Sequence, residues 1–127
     1  MTRIKRMEDM KVAVVGSRKY SNRRKIKEFI FKLIQKHGKD LTIVSGGCQD
    51  GADKYAKKYA LELGAQYREY PPFHEVYNLY CALPEACYGK PYNMKYFFVR
   101  NKQIAQNSDV VVGFIPEGDD AKGTIST

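Results

Sequence analysis

A chain of 127 residues, 43% of them hydrophobic and with ten tyrosines but no tryptophan, holds one globular domain of adequate core size and leaves no room for a second. No apolar run approaches the roughly 18 residues of a membrane span, and three cysteines without CxxC spacing argue against both a disulfide framework and a zinc site. The net charge of +8 is uneven, because residues 1–36 hold 12 Lys and Arg against 3 acids while the remainder hold 10 against 11.

In chain order, residues 1–10 are polar and charged and read as a flexible basic arm, with a single domain over residues 11–127. The arm lacks the apolar core of a signal peptide, so the cytoplasm is the expected compartment. Lys11-Val12-Ala13-Val14-Val15 is a buried strand that ends in the turn Gly16-Ser17-Arg18. The spacing of Ile26, Phe29, Ile30, Leu33 and Ile34 predicts a helix over 22–37, stopped by Gly38, with Arg23, Arg24, Lys27 and Lys36 on the opposite face. That basic face, with the arm, is able to attract nucleic acid; an ordinary solvated helix face explains it as well, and no nucleic-acid motif accompanies it.

Leu41, Ile43 and Val44 mark a second strand, and Ala52, Tyr55, Ala56, Tyr59, Ala60 and Leu63 a second helix that runs to Gly64. Residues 66–70 form a weak third strand, halted by Pro71-Pro72. Residues 73–92, rich in tyrosine and interrupted by Pro84, Gly89 and Pro91, are too long for a simple connection and hold either a short helix over 76–83 or a lid. A helix over 94–107 is predicted to turn Phe97, Phe98, Ile104 and Ala105 inward. Residues 109–114 are another strand, and the glycine-containing loop 115–124 follows it. Strands alternating with helices give an α/β fold: a Rossmann-like three-layer αβα sandwich with a mostly parallel sheet.

Within this frame the stretch from Val44 to Asp53, Val-Ser-Gly-Gly-Cys-Gln-Asp-Gly-Ala-Asp, is a strand, a tight loop and a helix start. Glycines let a ligand approach the backbone, and the first free N–H groups of a helix favour an anion. The loop is neither a Walker A sequence nor GxGxxG, and an ordinary strand-to-helix turn accounts for it equally well. Asp50 suits the helix cap, with Asp53 three residues on. Ligands of parallel sheets bind at the carboxyl ends of strands. That rule gathers Gly16-Ser17-Arg18, Ser45-Gly46-Gly47, Pro71-Pro72-Phe73 and the loop over 118–124 at one edge, which strengthens a phosphate or nucleotide site.

The ordered set Gly16-Ser17-Arg18, Ser45-Gly46-Gly47 with Gly51-Ala52-Asp53, Arg100-Asn101, the strand over 109–114 and Gly123-Thr124 resembles the SLOG superfamily of Rossmann-like proteins. That superfamily includes the LOG phosphoribohydrolases, DNA-processing protein A, and small bacterial and phage proteins proposed to bind nucleotide-derived ligands, whose spelling is closest. The resemblance implies a nucleotide or ADP-ribose-like ligand beside Gly16 and Ser17, lined by Gly46 and Gly47, with a phosphate at Gly123-Thr124 and Arg100 near the ribose phosphate. It also implies a further helix, and usually a strand, after Gly-Thr, so the chain is expected to be shortened at its C-terminus or covered there by another element. In LOG enzymes a glutamate two to three residues after Gly-Thr completes the catalytic pair; here those positions are Ser126 and Thr127. N-glycoside hydrolysis needs an acid group, so LOG-like hydrolysis would rest on Arg100 with Glu117, Asp119 or Asp120 folded back.

The expected ligand-binding set is thus Gly16, Ser17, Arg18, Ser45, Gly46, Gly47, Asp50, Gly51, Asp53, Arg100, Asn101, Gly123 and Thr124, with Arg100 and Glu117 as catalytic candidates. No metal and no cofactor are expected. The partners expected are the small molecule and, for the protein itself, further copies in a homo-oligomer, with no membrane. His37 reads as structural in the last turn of a helix. His74 is polar surface more readily than an acid or base, and Cys48 is a small residue packed beside the loop more readily than a reactive thiol.

Overall fold

Alternation along strand β1 (Met10–Gly16) sends side chains to two faces. Val12 and Val14 enter a cluster with Ile26 and Ile30 of helix α1 (Arg23–His37) and with Ala52, Ala56 and Ala60 of helix α2 (Gly51–Glu62). Ala13 and Val15 enter another with Val44, Tyr70 and Ile104, the last from helix α3 (Lys95–Gln106). Strands β2 (Leu41–Ser45), β3 (Gln66–Glu69) and β4 (Val110–Phe114) complete a sheet of order β3-β2-β1-β4. Every pairing is parallel, with Val12 opposite Ile43 on one side and Val110 on the other. The computed structural model describes residues 10–116. The expected flexible arm, but for Met10, and the loop carrying Glu117, Gly123 and Thr124 lie outside the described residues. Met10 itself opens β1, opposite Leu41.

The α/β sandwich predicted from the pattern is the fold that forms. Helix α1 starts where Asn22 accepts a hydrogen bond from the Lys25 amide at 3.3 Å, a cap of the usual kind. Ile26 and Ile30 are fully buried, each stabilising the fold by roughly 2–3 kcal/mol through apolar burial. Edge-to-face contacts of Tyr20 and Phe29 with Phe114, both at 5.6 Å between ring centres, tie the α1 region to β4.

The opposite face is thinner: among the described residues α3 is the one helix on it, and Tyr70 and Leu83 join its Ile104 there. Ile104 is buried as expected, but Phe98 is 69% exposed and Ala105 is exposed too, against the prediction that both turn inward. A single helix reaches the middle of a four-stranded sheet with one narrow stripe, so only part of its apolar surface finds a partner. Among the described residues no helix is long and apolar enough to cross a membrane.

The helix considered over 76–83 does not form. Residues 78–82 instead run along β3: the Glu69 amide donates to the Tyr80 carbonyl at 2.9 Å, and the Ala82 amide to the Glu69 carbonyl at 3.0 Å. One 3-10 turn, Glu85–Cys87, follows. Gly89 and Lys90 then bond back to the carbonyls of Glu75 and Phe73, and Phe73 packs edge-on against Tyr88 and Tyr96. Tyr88 is buried against Phe73 and Tyr77, whereas Tyr92 is 68% exposed, so the segment holds a small aromatic cluster centred on Tyr88.

The chain steps from β1 outward to β2 and β3, then returns to place β4 on the other side of β1. The switch in winding direction falls between β1 and β4, and crevices open at such points beyond the strand ends.

Candidate functional site

A cleft of about 290 Å³ lies beyond the carboxyl ends of the strands. It is lined by Arg18 after β1, by Gly46 to Asp50 after β2, by Pro72 and Glu75 after β3, and by Phe97 and Arg100 of α3. Three of the four loops gathered from the sequence do converge, and the fourth lies outside the described residues. Asp50 and Glu75 are exposed at the lip, whereas Arg100 is only partly exposed.

The glycine loop is fixed from beneath. The Gly47 amide donates to Ser45 Oγ at 3.1 Å, Ser45 Oγ lies 2.6 Å from Tyr67 Oη, and Tyr67 Oη donates to Glu69 Oε1 at 2.9 Å. Because Tyr67 gives its proton to the carboxylate, its oxygen must accept from Ser45, and all three bonds run toward Glu69. Asn78 Nδ2 donates to Glu69 Oε2 at 2.6 Å, and Lys57 Nζ stands 3.5 Å from Oε1. Burial and the Glu69 charge push the Tyr67 hydroxyl far above its ordinary range, so it stays a donor. Gly47 has φ +74°, and a Cβ there would stand 3.1 Å from Glu69 Cδ. A left-handed backbone packed on a buried carboxylate requires glycine.

Glu69 is 2% exposed and central to this arrangement, yet it was not among the residues singled out from the sequence. A signal existed: once Tyr67 is placed on the inner face of a strand, period-two alternation puts Glu69 on that face too. A charged residue in the buried register of a strand points to a partnered network.

Asp53 and Arg100 form the other half of the floor. Arg100 Nη1 donates to the Gly46 carbonyl at 2.9 Å and its Nε to Asn101 Oδ1 at 3.0 Å. A Cβ on Gly46 would collide with the Arg100 guanidinium. Asp53, 7% exposed, accepts from the Cys48 amide at 3.3 Å. Desolvation holds Arg100 below its usual value; Asp53 opposes that lowering and Arg18 adds to it. Two guanidinium groups thus repel each other across one cleft, and an anion between them would relieve the repulsion.

Burial pushes the Asp53 carboxyl from 3.8 up to about 6, against the pull of Arg100 and of the Cys48 and Gly46 amides. With the folded value above the unfolded one, the native state binds the extra proton between those limits. The Asp53 contribution to stability therefore falls as pH rises from about 4 to about 6 and is level above that. Asp53→Asn keeps an acceptor for the Cys48 amide and removes the desolvated charge. Its stability relative to the parent, read from urea midpoints, should rise across that window by up to about 3 kcal/mol. A difference that stays flat from pH 4 to pH 7 would contradict this account.

Of the residues expected at the site, Arg18, Gly46, Gly47, Asp50 and Arg100 line the cleft. Gly16, Ser17, Ser45, Gly51, Asp53 and Asn101 stand behind it. Ser17 gives its amide to the Phe114 carbonyl at 3.1 Å, and its own carbonyl accepts from Tyr20 and Ala52. Gly16 is packed against Phe114 and Ala52 with no space for a Cβ. Asp50 occupies the N-cap of α2 without a side-chain hydrogen bond; the carboxylate that meets a loop amide is Asp53, one turn later. His74 is packed among Tyr92, Tyr96 and Phe97, with ring centres 4.6 Å from Tyr92.

A parallel sheet with helices on both faces, and a glycine loop opening a helix beyond its second strand, defines a Rossmann-like domain with its cleft at the strand ends. The chain belongs to the YspA, cpYpsA-related SLOG family, whose family model matches residues 10–76. The matched span runs from β1 through both glycine turns and stops before α3, so Arg100 is attached to the family's part of the site by the fold. Comparison with curated proteins and with solved structures finds no match.

Proposed function

We propose that the cleft binds a nucleotide or nucleotide-derived, ADP-ribose-like small molecule at the carboxyl ends of the parallel strands, and that the protein acts as a sensor or signalling module. The observation that carries this reading is the pair of guanidinium groups, Arg18 and Arg100, sharing one cleft with a glycine loop at a helix start. A phosphate lies between the two arginines, and the flat part of the ligand lies against Phe97 and Pro72. Membership of a SLOG family supports a small-molecule ligand of this kind.

The reading is tested by thermal denaturation with AMP, ADP, ADP-ribose and single-stranded DNA, alongside an assay for free base. A nucleotide at about a hundred times its Kd should stabilise the fold by about 2.7 kcal/mol and release no base. Stabilisation by DNA alone, lost at high salt, would replace the small-molecule reading with a nucleic-acid one on the basic face of α1. Release of base from a nucleoside monophosphate would favour a LOG-like hydrolase, a reading for which the carboxylates Asp50 and Glu75 at the cleft are the supporting observation.

A further inference from the structure

A second cavity, of about 420 Å³, shares the loop Gly47-Cys48-Gln49 with the cleft and opens toward α2 and β3. Its wall on α2 carries Lys54, Lys57, Lys58 and Leu61, which lie on one helical face by their spacing. Glu69 and Asn78 close the opposite side. The charge of Glu69 is matched by Lys57 at 3.5 Å, while neither Lys54 nor Lys58 has a carboxylate partner among the described residues. The cavity therefore keeps uncompensated positive charge, and none of its lining residues is aromatic.

We infer that this cavity is a second phosphate subsite and that the ligand is an extended nucleotide with phosphate at two separated positions, of the nucleoside bisphosphate class. The inference rests on the nucleotide reading of the cleft and adds the far end of the ligand to it. Volume points the same way: the cleft alone is at the small end of ligand pockets, which start near roughly 300 Å³, and the second cavity more than doubles the space. The distribution of side chains assigns the ends. Phe97 offers a ring for the base in the cleft, whereas the second cavity offers ammonium groups, point charges suited to a phosphate that needs no fixed fork.

The test compares AMP with adenosine 3′,5′-bisphosphate by isothermal titration, in the parent and in the double variant Lys54→Ala/Lys58→Ala. Both lysines are exposed, so the fold survives their replacement. The bisphosphate should bind the parent at least about tenfold more tightly than AMP, and the double variant should erase that advantage while changing AMP affinity less than about threefold. Equal affinity of the two ligands for the parent, with AMP bound, overturns the second subsite and leaves the cleft reading standing. The same holds if the double variant weakens both ligands alike. Absence of binding by both ligands overturns the second subsite, and the cleft reading falls with it when ADP and ADP-ribose also fail to bind.

Discussion

Arg100→Ala is expected to weaken binding of AMP about 100-fold or more, with Arg100→Lys recovering only part of the loss. Two of the Arg100 donor groups are committed internally, Nη1 to the Gly46 carbonyl and Nε to Asn101 Oδ1. These bonds leave the rest of the guanidinium as a fixed fork at the cleft. Hydrogen bonds to a charged group contribute about 1.5–3 kcal/mol each, and two such bonds to one phosphate correspond to about that loss. Lysine restores charge without the fork and cannot hold Gly46 and a phosphate at once in the same geometry. The alanine variant should also lose stability, since Asp53 then remains buried beside an empty position and the Gly46 carbonyl loses its donor. Calorimetric titration with AMP measures the first effect and thermal denaturation the second. Undiminished affinity in Arg100→Ala would remove Arg100 from the site, whatever its effect on folding.

Gly51→Ala should be the more damaging change to the fold, at about 3 kcal/mol or more. The residue has φ +68°, and a Cβ there would collide with the Ser17 carbonyl and stand 2.6 Å from Arg18 Cα. The left-handed conformation alone costs an alanine roughly 1–2 kcal/mol. The collision adds displacement of the Ser17 turn, whose carbonyl accepts from both Tyr20 and Ala52. Gly64→Ala separates the two contributions, because Gly64 also has positive φ, +89°, but nothing within 4 Å of a Cβ. The expected order is a Gly64→Ala melting point lowered by a few degrees and a Gly51→Ala melting point lowered by on the order of 10 °C or more. Equal losses at the two positions would show that contact with the first turn does not matter.

The strands and helices that pack on both sides were legible in the chain because their apolar residues repeat with the right period. Val12 to Val15, Ile26 with Ile30, and Ala52 with Ala56 read directly. Legibility failed where a second chain segment supplies the partners. Glu69 looks like a surface residue at the end of a weak strand, and its burial is explained by Tyr67 beside it together with Lys57 and Asn78 from other elements. Phe98 and Ala105 have the spacing of a buried stripe, but one helix across a broad sheet leaves part of that stripe in water. Asp50 has the right chemistry and position for a cap, yet the Cys48 amide is reached by Asp53, whose side chain looks back from within the helix. The cleft followed a similar pattern. Its glycine turns and the Pro71-Pro72 turn after β3 were visible in the sequence, while Glu75 and Phe97 entered it through the path of residues 73–94, which no local periodicity dictates.

The inward bonding of the glycine loop also decides which of its hydrogens are left for anything outside. Gly47 and Cys48 give their amides to Ser45 and Asp53, whereas the next amides, of Gln49 and Asp50, have no acceptor among the described residues. The loop is therefore asymmetric as a donor: its first half is spent holding its own shape, and its second half is what an arriving anion can recruit. For the ligand proposed, selectivity would come by subtraction: Ser45 and Asp53 would act on it without touching it, by removing donors from the surface it meets.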